Sequence, residues 1–157
     1  MSVAYRYGGA RALVRLHERH LWEFWATWCE ARNAGLQLPE TEDSNYASLE
    51  VLLHHVLKSA RGYLQWICTQ LELPDPGIDR APPPDRVSAK AAGYLSHLLE
   101  RWRDPLCDVP REAYRKLGPI TLTSTTVEGM LEHAVMHPIR HTFQLRNLLA
   151  EQQAHPR

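Results

Sequence analysis

Apolar side chains recur at intervals of three and four residues along four separate segments, which is the spacing of amphipathic helices. The pattern predicts helices at about 10–34, 49–71, 86–103 and 126–151. Gly35 is a typical end for the first helix, and Ser48 is a typical N-cap for the second. The Thr125-x-x-Glu128 motif predicts a capping box at the start of the fourth helix.

Each helix is expected to turn its apolar face towards a shared core. The residues predicted to face inward are Leu13, Leu16, Leu21, Phe24, Trp25 and Trp28 on the first helix, Val51, Leu52, His55, Val56, Ser59, Ala60 and Tyr63 on the second, and Val87, Ala91, Leu95, Leu98 and Trp102 on the third. Trp22 lies elsewhere on the first helix, so this helix is apolar over more than one stripe. The extra apolar surface indicates core, a cavity wall or an oligomer contact.

Four long helices in a chain of 157 residues predict one all-α domain over 1–157, a four-helix bundle. Only Ile120–Thr123 suggests a short extended piece. The proline-rich linker between the second and third helices has about 14 residues, which reach about 40 Å when extended. A helix of 23 residues is about 35 Å long. The linker is therefore long enough to cross the bundle and let these two helices run parallel.

Charge and composition narrow the function. Lys plus Arg and Asp plus Glu are 18 each, so no net charge favours nucleic acid or an anionic membrane. No apolar run suits a signal peptide or a membrane span. The three cysteines lie far apart without a CxxC motif, which is typical of reduced thiols in a cytoplasmic protein.

The candidate chemistry lies in the fourth helix, where His133, His137 and His141 are spaced four residues apart and Pro138 interrupts them. This spacing puts the three rings along one narrow stripe, at positions where a bundle normally has leucine. Each neutral ring needs both a donor and an acceptor partner, and a shared metal accepts lone pairs from several rings at once. A polar core network and a haem or other cofactor are the alternatives.

A third ligand must come from another helix. His55 shares its face with Leu52 and the small Ser59, so it is predicted to point inward, whereas His54 is predicted to face solvent. His17 and His20 are weaker possibilities. Three imidazoles with open positions are typical of a catalytic site, and they suit zinc, nickel, iron(II) or copper. The remaining histidines, His97 and His155, are expected at the surface.

Two motifs resemble those of the DinB-like metal-binding superfamily. The stretch HPIRHTFQL is similar to its His-x-x-x-His-x-x-Gln pattern in the fourth helix, and SLEVLLHHV is similar to its second-helix pattern, a serine N-cap with a ligand histidine seven residues later. The resemblance spans about residues 10–150. It implies an up-down-down-up bundle with His55, His137 and His141 as metal ligands and His133 as a neighbour.

The chain departs from the family at two points. Many relatives read Arg-Gly-Gln after the second fourth-helix ligand, where this chain has Thr142-Phe143-Gln144. The other departure is Pro138, which removes the N–H that would bond the Ala134 carbonyl. We expect a bent or widened turn over 134–138 that aims His137, the alternative being a kink that serves packing alone.

The resemblance implies a metal-dependent enzyme that transfers or adds a low-molecular-weight thiol to an electrophilic small-molecule substrate. A metal-dependent hydrolase and a non-catalytic metal-binding stress protein are alternatives. A further alternative is a structural bundle without metal that dimerises through its Trp-rich first helix. No general base can be assigned, since Glu132 points about 100° away from His133 on the helix.

Overall fold

Four helices and one short hairpin make up the computed structural model, which describes residues 4–155. The helices are α1 (Gly8–Asn33), α2 (Leu49–Gln70), α3 (Pro84–Trp102) and α4 (Val127–Ala154), and the strands are β1 (Leu117–Ile120) and β2 (Thr123–Thr126). Two short 3-10 helices, Ser44–Tyr46 and Arg111–Arg115, lie in the connectors. The predicted helical class is confirmed, and every helix end lies within three residues of its predicted position.

The hairpin corrects the sequence-based expectation of a single extended piece at 120–123. β1 and β2 pair antiparallel, from Leu117 opposite Thr126 to Ile120 opposite Thr123, so residues 121–122 form the turn. At Gly118 the hairpin approaches α2 so closely that a Cβ would lie 2.6 Å or less from side-chain atoms of Trp66 and Gln70. Trp66 also donates from Nε1 to the Pro119 carbonyl at 2.9 Å. The hairpin is therefore attached to the C-terminal part of α2.

The ends of α1 and α2 follow the predicted signals. Gly35 has a φ of +63°, and Leu36 N–H donates to the Ala31 carbonyl at 2.9 Å, which is the left-handed closure that glycine favours. Ser48 caps α2 by accepting a hydrogen bond from Val51 N–H at 3.1 Å. Both boundaries thus arise from local hydrogen bonding.

The predicted capping box at the start of α4 does not form, and the N-cap lies one residue later than predicted. Thr126, not Thr125, is the N-cap and accepts from Gly129 N–H at 2.9 Å. Thr125 belongs to β2, opposite Gly118. The Glu128 carboxylate accepts a hydrogen bond from the Tyr7 hydroxyl at 2.8 Å instead of closing the box. Strand pairing therefore sets where this helix begins.

The inner faces agree with the pattern on α3 and only partly on α1. All five residues predicted for α3 are buried. On α1, Leu16 is 40% exposed, and Leu13 and Trp25 are half-buried. The buried stripe instead passes through Val14 and His17. The buried stripe of α1 could not be recognised from the apolar pattern, because the polar His17 occupies one of its positions.

The proline-rich linker lies along α2 and α3. Arg61 Nε donates to the Ile78 carbonyl at 2.9 Å, and the Tyr94 hydroxyl donates to the Asp79 carbonyl at 2.9 Å. Trp102, at the end of α3, donates from Nε1 to the Ala60 carbonyl at 3.2 Å. α2 packs against both α3 and α4, while α1 packs mainly against α4. Across residues 4–155, no helix has the length and apolarity that a bilayer crossing requires.

Candidate metal centre

The three histidines predicted as ligands lie together between α2 and α4. The Nε2 atom of His137 is 3.0 Å from Nε2 of His55 and 3.2 Å from Nε2 of His141. One ring nitrogen from each of the three residues lies within 4.8 Å of the other two. Within the described part of the chain, these three histidines form the group that could hold a metal ion. The rings of His137 and His141 stand at 85° to each other, edge to face.

These separations fit a shared metal ion. A zinc–nitrogen bond of about 2.0–2.1 Å at a tetrahedral angle places two ligand nitrogens about 3.3 Å apart. The observed spacings of 3.0 and 3.2 Å lie close to that value. The donor set, three imidazoles, is also one that binds zinc, nickel and iron(II).

Hydrogen bonding without a metal satisfies the same nitrogens poorly. An imidazole nitrogen carries either one hydrogen or one lone pair, so His137 Nε2 can make one good hydrogen bond. It faces two neighbouring nitrogens, those of His55 and His141. The other nitrogen of the same ring, His137 Nδ1, is buried and has no hydrogen-bond partner. A cation that accepts all three lone pairs resolves the conflict at Nε2.

Tyr46 and Gln144 fix the orientation of His141. Its Nδ1 donates to Gln144 Oε1 at 2.9 Å and lies 3.2 Å from the Tyr46 hydroxyl oxygen. That hydroxyl donates to the same amide oxygen at 2.8 Å. With the hydrogen on Nδ1, the Nε2 lone pair of His141 points towards the other two histidines, which is the usual second-shell support of a metal ligand.

Burial keeps the three rings neutral. It is the main cause that lowers the pKa of His137 to about 2, with the neighbouring histidines and Arg140 adding to the effect. Burial also lowers the pKa of His141 to about 4, although the hydrogen bond to Gln144 opposes the shift. The pKa of His55 is lowered for the same reason. Neutral imidazoles at pH 7 have their lone pairs available for a metal.

The histidines outside this group occupy different environments. His54 was predicted to face solvent, but it is half-buried and donates from Nδ1 to the Pro82 carbonyl at 2.8 Å. His133 is exposed rather than inward, with its ring against Tyr63 at 5.2 Å. The rotation of α4 explains this, because a spacing of four advances about 40° per step and carries the first histidine out of the interface.

The weaker candidates on α1 lie outside the metal group. His17 is fully buried, and neither ring nitrogen has a hydrogen-bond partner. Its ring lies 4.1 Å from that of Trp102. His20 contacts Glu23 at 3.0 Å. His155 is exposed as predicted, whereas His97 is half-buried and accepts a hydrogen bond from Asp79 N–H at 3.1 Å.

Helix α4 is an uninterrupted α-helix through Pro138. The widened turn expected over 134–138 is therefore absent. Proline still lacks the N–H that would bond the Ala134 carbonyl, and its own carbonyl accepts the Thr142 hydroxyl at 2.8 Å. Packing of the buried proline ring and the surrounding helix holds this segment in α geometry.

Replacing Pro138 by Ala should raise the free energy of unfolding by about 1 kcal/mol or more. An interior proline costs on the order of 3 kcal/mol, and part of this gain is offset by loss of the buried ring. Urea unfolding of the metal-free protein measures the change. The metal dissociation constant of the same variant then separates two roles: weaker binding indicates that Pro138 positions His137, and an unchanged constant assigns it to packing.

Gln144 and Tyr46 were not predicted as part of the site, although Gln144 lies within the quoted motif. Replacing Gln144 by Leu should weaken metal binding about 10- to 100-fold, since the acceptor for His141 Nδ1 is lost. The measurement is competition with a chromogenic chelator. Tyr46→Phe keeps that acceptor and should have a smaller effect; an equal loss in both variants would contradict the assigned orientation.

An apolar recess near these residues does not reach the metal group. A cavity of about 430 Å³ is lined by Leu38, Leu52 and Leu145 together with Tyr46 and Gln144. None of the three histidines lines it. It therefore lies against the His141 partners Tyr46 and Gln144 and outside the histidine group.

Comparisons of the chain with protein-family models, with curated proteins and with solved structures gave no match. The histidine cluster itself therefore carries the functional argument.

Proposed function

We propose that His55, His137 and His141 bind one divalent transition metal, either zinc, nickel or iron. The observation that carries the proposal is the approach of the His55 and His141 Nε2 atoms to His137 Nε2, which cannot satisfy both neighbours by hydrogen bonding. We further propose that the chain is a DinB-like enzyme of the cytoplasm that transfers or adds a low-molecular-weight thiol to an electrophilic small molecule. The motifs quoted from α2 and α4 support this class.

The same class implies the up-down-down-up arrangement, which two contacts support. Near the start of α2, His54 bonds the Pro82 carbonyl, two residues before α3 begins. Beyond the end of α2, Pro74 lines one recess together with Glu100, near the end of α3. If α2 and α3 run parallel, their N-terminal ends lie near each other and so do their C-terminal ends, as these two contacts indicate.

A bound divalent metal would supply a site that lowers the pKa of a coordinated thiol. The chain itself orients the ligands: Gln144 holds the hydrogen of His141 on Nδ1. Phe24 lies with its ring 6.4 Å from that of His141 and helps to close the site on the α1 side. Tyr63, 5.6 Å from the His137 ring, borders the site at another edge.

The acidity of the reacting group favours thiol chemistry over hydrolysis. Among residues 4–155, the set able to hold a metal contains three histidines and no Asp or Glu. A free thiol has a pKa of about 8.5 and free water about 15.7, so the same metal generates a thiolate more readily than a hydroxide. Hydrolysis therefore remains the alternative activity for the same centre.

Elemental analysis of untagged protein, followed by thermal unfolding with and without a strong chelator from about pH 5 to 8, tests the metal. We expect about one metal per chain and a melting temperature that the chelator lowers at neutral pH. Unfolded histidine has a pKa of about 6.5, whereas the folded pKa values are depressed. The unfolded chain thus binds more protons at mildly acidic pH, and stability is lost as pH falls below about 6.5.

Burial alone makes the chelated protein lose stability in acid, so the slope with pH is no evidence of metal. The informative quantity is the gap between the two curves, which should shrink towards pH 5 because protonation competes with the metal. Superimposable curves at pH 7 to 8 would contradict a metal centre.

An activity assay with glutathione and 1-chloro-2,4-dinitrobenzene, monitored by absorbance, then distinguishes an enzyme that transfers a thiol from a metal-binding protein without turnover.

The predicted homodimer stays a prediction. On α1, Trp22 is 38% exposed, while the rings of Trp25 and Trp28 stack on each other at 5.4 Å. The tryptophan cluster therefore lies mainly within the protein, and Trp22 is the part left for a contact between copies. Sedimentation of the wild type and of Trp22→Gln measures whether such a contact exists.

A further inference from the structure

One side of the three-histidine centre is only partly covered, since His55 and Tyr63 are half-buried there and His133 is exposed; this is called the open side. Tyr63 from α2 contacts two rings of α4, His133 at 5.2 Å and His137 at 5.6 Å between centroids. His133 is exposed. Arg140 follows His133 by seven residues, which brings the two to the same face of α4, about 20° apart. Arg140 thus lies on the exposed border of the site, one residue before the ligand His141.

Arg140 has no acidic partner in the part of the chain that the structure describes. Arg146, on the same helix as Arg140, forms an ion pair with Glu23 of α1 at 2.8 Å. None of the ion pairs within residues 4–155 involves Arg140. Its side chain is exposed. The guanidinium is therefore available to a ligand without breaking an internal contact.

The charge of the occupied site is also unbalanced. Three neutral imidazoles leave the two positive charges of a divalent metal uncompensated, and Arg140 adds a third. Electrostatic effects place Asp43 near the site, since its charge opposes the lowered pKa of His55 and of His141. The Asp43 carboxylate is exposed and already accepts from Asn45 N–H at 2.9 Å. One carboxylate does not balance three positive charges.

The positive charge of Arg140 affects the pKa of each ring at the open side. Its positive charge contributes, after burial, to the lowered pKa of His133, and it acts in the same direction on His137 and His141. It also opposes the burial-raised pKa of Tyr63. An anion that approaches these rings therefore enters a positive region between Arg140 and the metal group.

We propose that Arg140 binds the carboxylate of an anionic substrate whose reacting end lies at the His55–His137–His141 centre. This rests on the proposed metal site and specifies the substrate class: a small molecule with at least one carboxylate besides the reacting group. A guanidinium suits the task because its planar fork matches a carboxylate with two parallel hydrogen bonds. Tyr63 and His133 border the path between the two ends.

Succinate and butyrate test the proposal on cobalt(II)-loaded protein. Both have a carboxylate for the metal and a similar length, but only succinate has a second carboxylate for Arg140. Titration monitored by the visible cobalt absorption, with calorimetry alongside, gives both dissociation constants. We expect the wild type to prefer succinate by about tenfold or more, as one charge-assisted pair provides.

The variants separate a specific contact from a general effect of charge. Arg140→Gln should bind the two probes equally, whereas Arg140→Lys should retain part of the preference as a point charge. Lys90→Gln, an exposed cation on α3, removes the same unit of charge and should keep the full preference. Because Arg140 is exposed and unpaired within the described chain, its variants should melt like the wild type.

The outcomes also separate this inference from the proposed function. Protein that fails to hold cobalt overturns the metal site and the inference with it. Protein that holds cobalt overturns the inference alone if succinate binds no better than butyrate, or if Arg140→Gln keeps the preference. Loss of the preference in Lys90→Gln as well would reduce the effect to net charge and equally overturn it.

Discussion

Replacing His137 by Ala is expected to remove nearly all bound metal. The Nε2 atom of His137 lies 3.0 and 3.2 Å from those of the other two ligands, so its loss removes one of three donors and leaves the metal with two nitrogens from different helices. The effect should exceed the roughly 10- to 100-fold that an outer-shell change causes. His55→Ala and His141→Ala should behave alike, since each removes one of three donors. Elemental analysis after dialysis against a weak chelator measures the loss.

His54→Ala is the matched control, because His54 is the neighbour of a ligand on the same helix. It donates to the Pro82 carbonyl and should affect the linker, not the metal. Circular dichroism spectra should show that all four variants remain helical. Loss of metal in His54→Ala with retention in His55→Ala would contradict the assignment of the α2 ligand.

Replacing His17 by Phe is expected to stabilise the protein and to flatten its loss of stability in acid. His17 is fully buried against Trp102, and both its ring nitrogens lack partners. A buried polar group without a hydrogen bond costs about 1–3 kcal/mol, which Phe removes while keeping an aromatic contact. Urea unfolding at pH 7 should show a gain of this size, less any strain from the larger ring.

The acid effect follows from the direction of the shift. Burial lowers the pKa of His17 to about 3, against about 6.5 in the unfolded chain. The unfolded state therefore binds the extra proton first, and stability falls as pH decreases from about 6.5 towards 3. A shift of this size corresponds to a few kcal/mol. Phe abolishes this contribution.

His17→Gln separates the two effects. It cannot titrate, so the acid slope should flatten as in Phe, but it keeps a buried polar group and should show no gain at pH 7. The slope is compared after chelation, so that the ligands His137 and His141 contribute equally to every variant. An acid slope unchanged in both variants would show that His17 is protonated in the folded state at little cost.

Much of the fold was predictable because the start of α2 and the inner face of α3 follow simple rules. Ser48 caps α2, and the inward positions of α3, from Val87 to Trp102, are all buried. The failures have one physical cause, namely tertiary contacts that override local patterns. Thr125 loses its cap role to a strand partner, and on α1 the polar His17 is buried while Leu16 is exposed.

The candidate site was predictable to the same degree. His55 could be distinguished from His54 because its helical face carries Leu52 and Ser59, and the spacing of His137 and His141 placed both on one side of α4. Tyr46 could not be found this way, because it lies in an irregular connector without periodicity, 95 residues from the histidine it contacts. Arg140, which we propose as a carboxylate-binding residue, is exposed, so no pattern of buried positions could have identified it.

The ligands from α2 and α4 are separated by 82 positions in the chain. Contacts of such long range form only after the entropy of closing a large loop has been overcome, which makes them late events in folding. A metal that needs both helices cannot bind to an isolated helix or to a collapsed state with loose packing. The rate at which refolding protein acquires cobalt absorption would therefore report completion of the tertiary structure, whereas far-ultraviolet dichroism would report the earlier gain of helix.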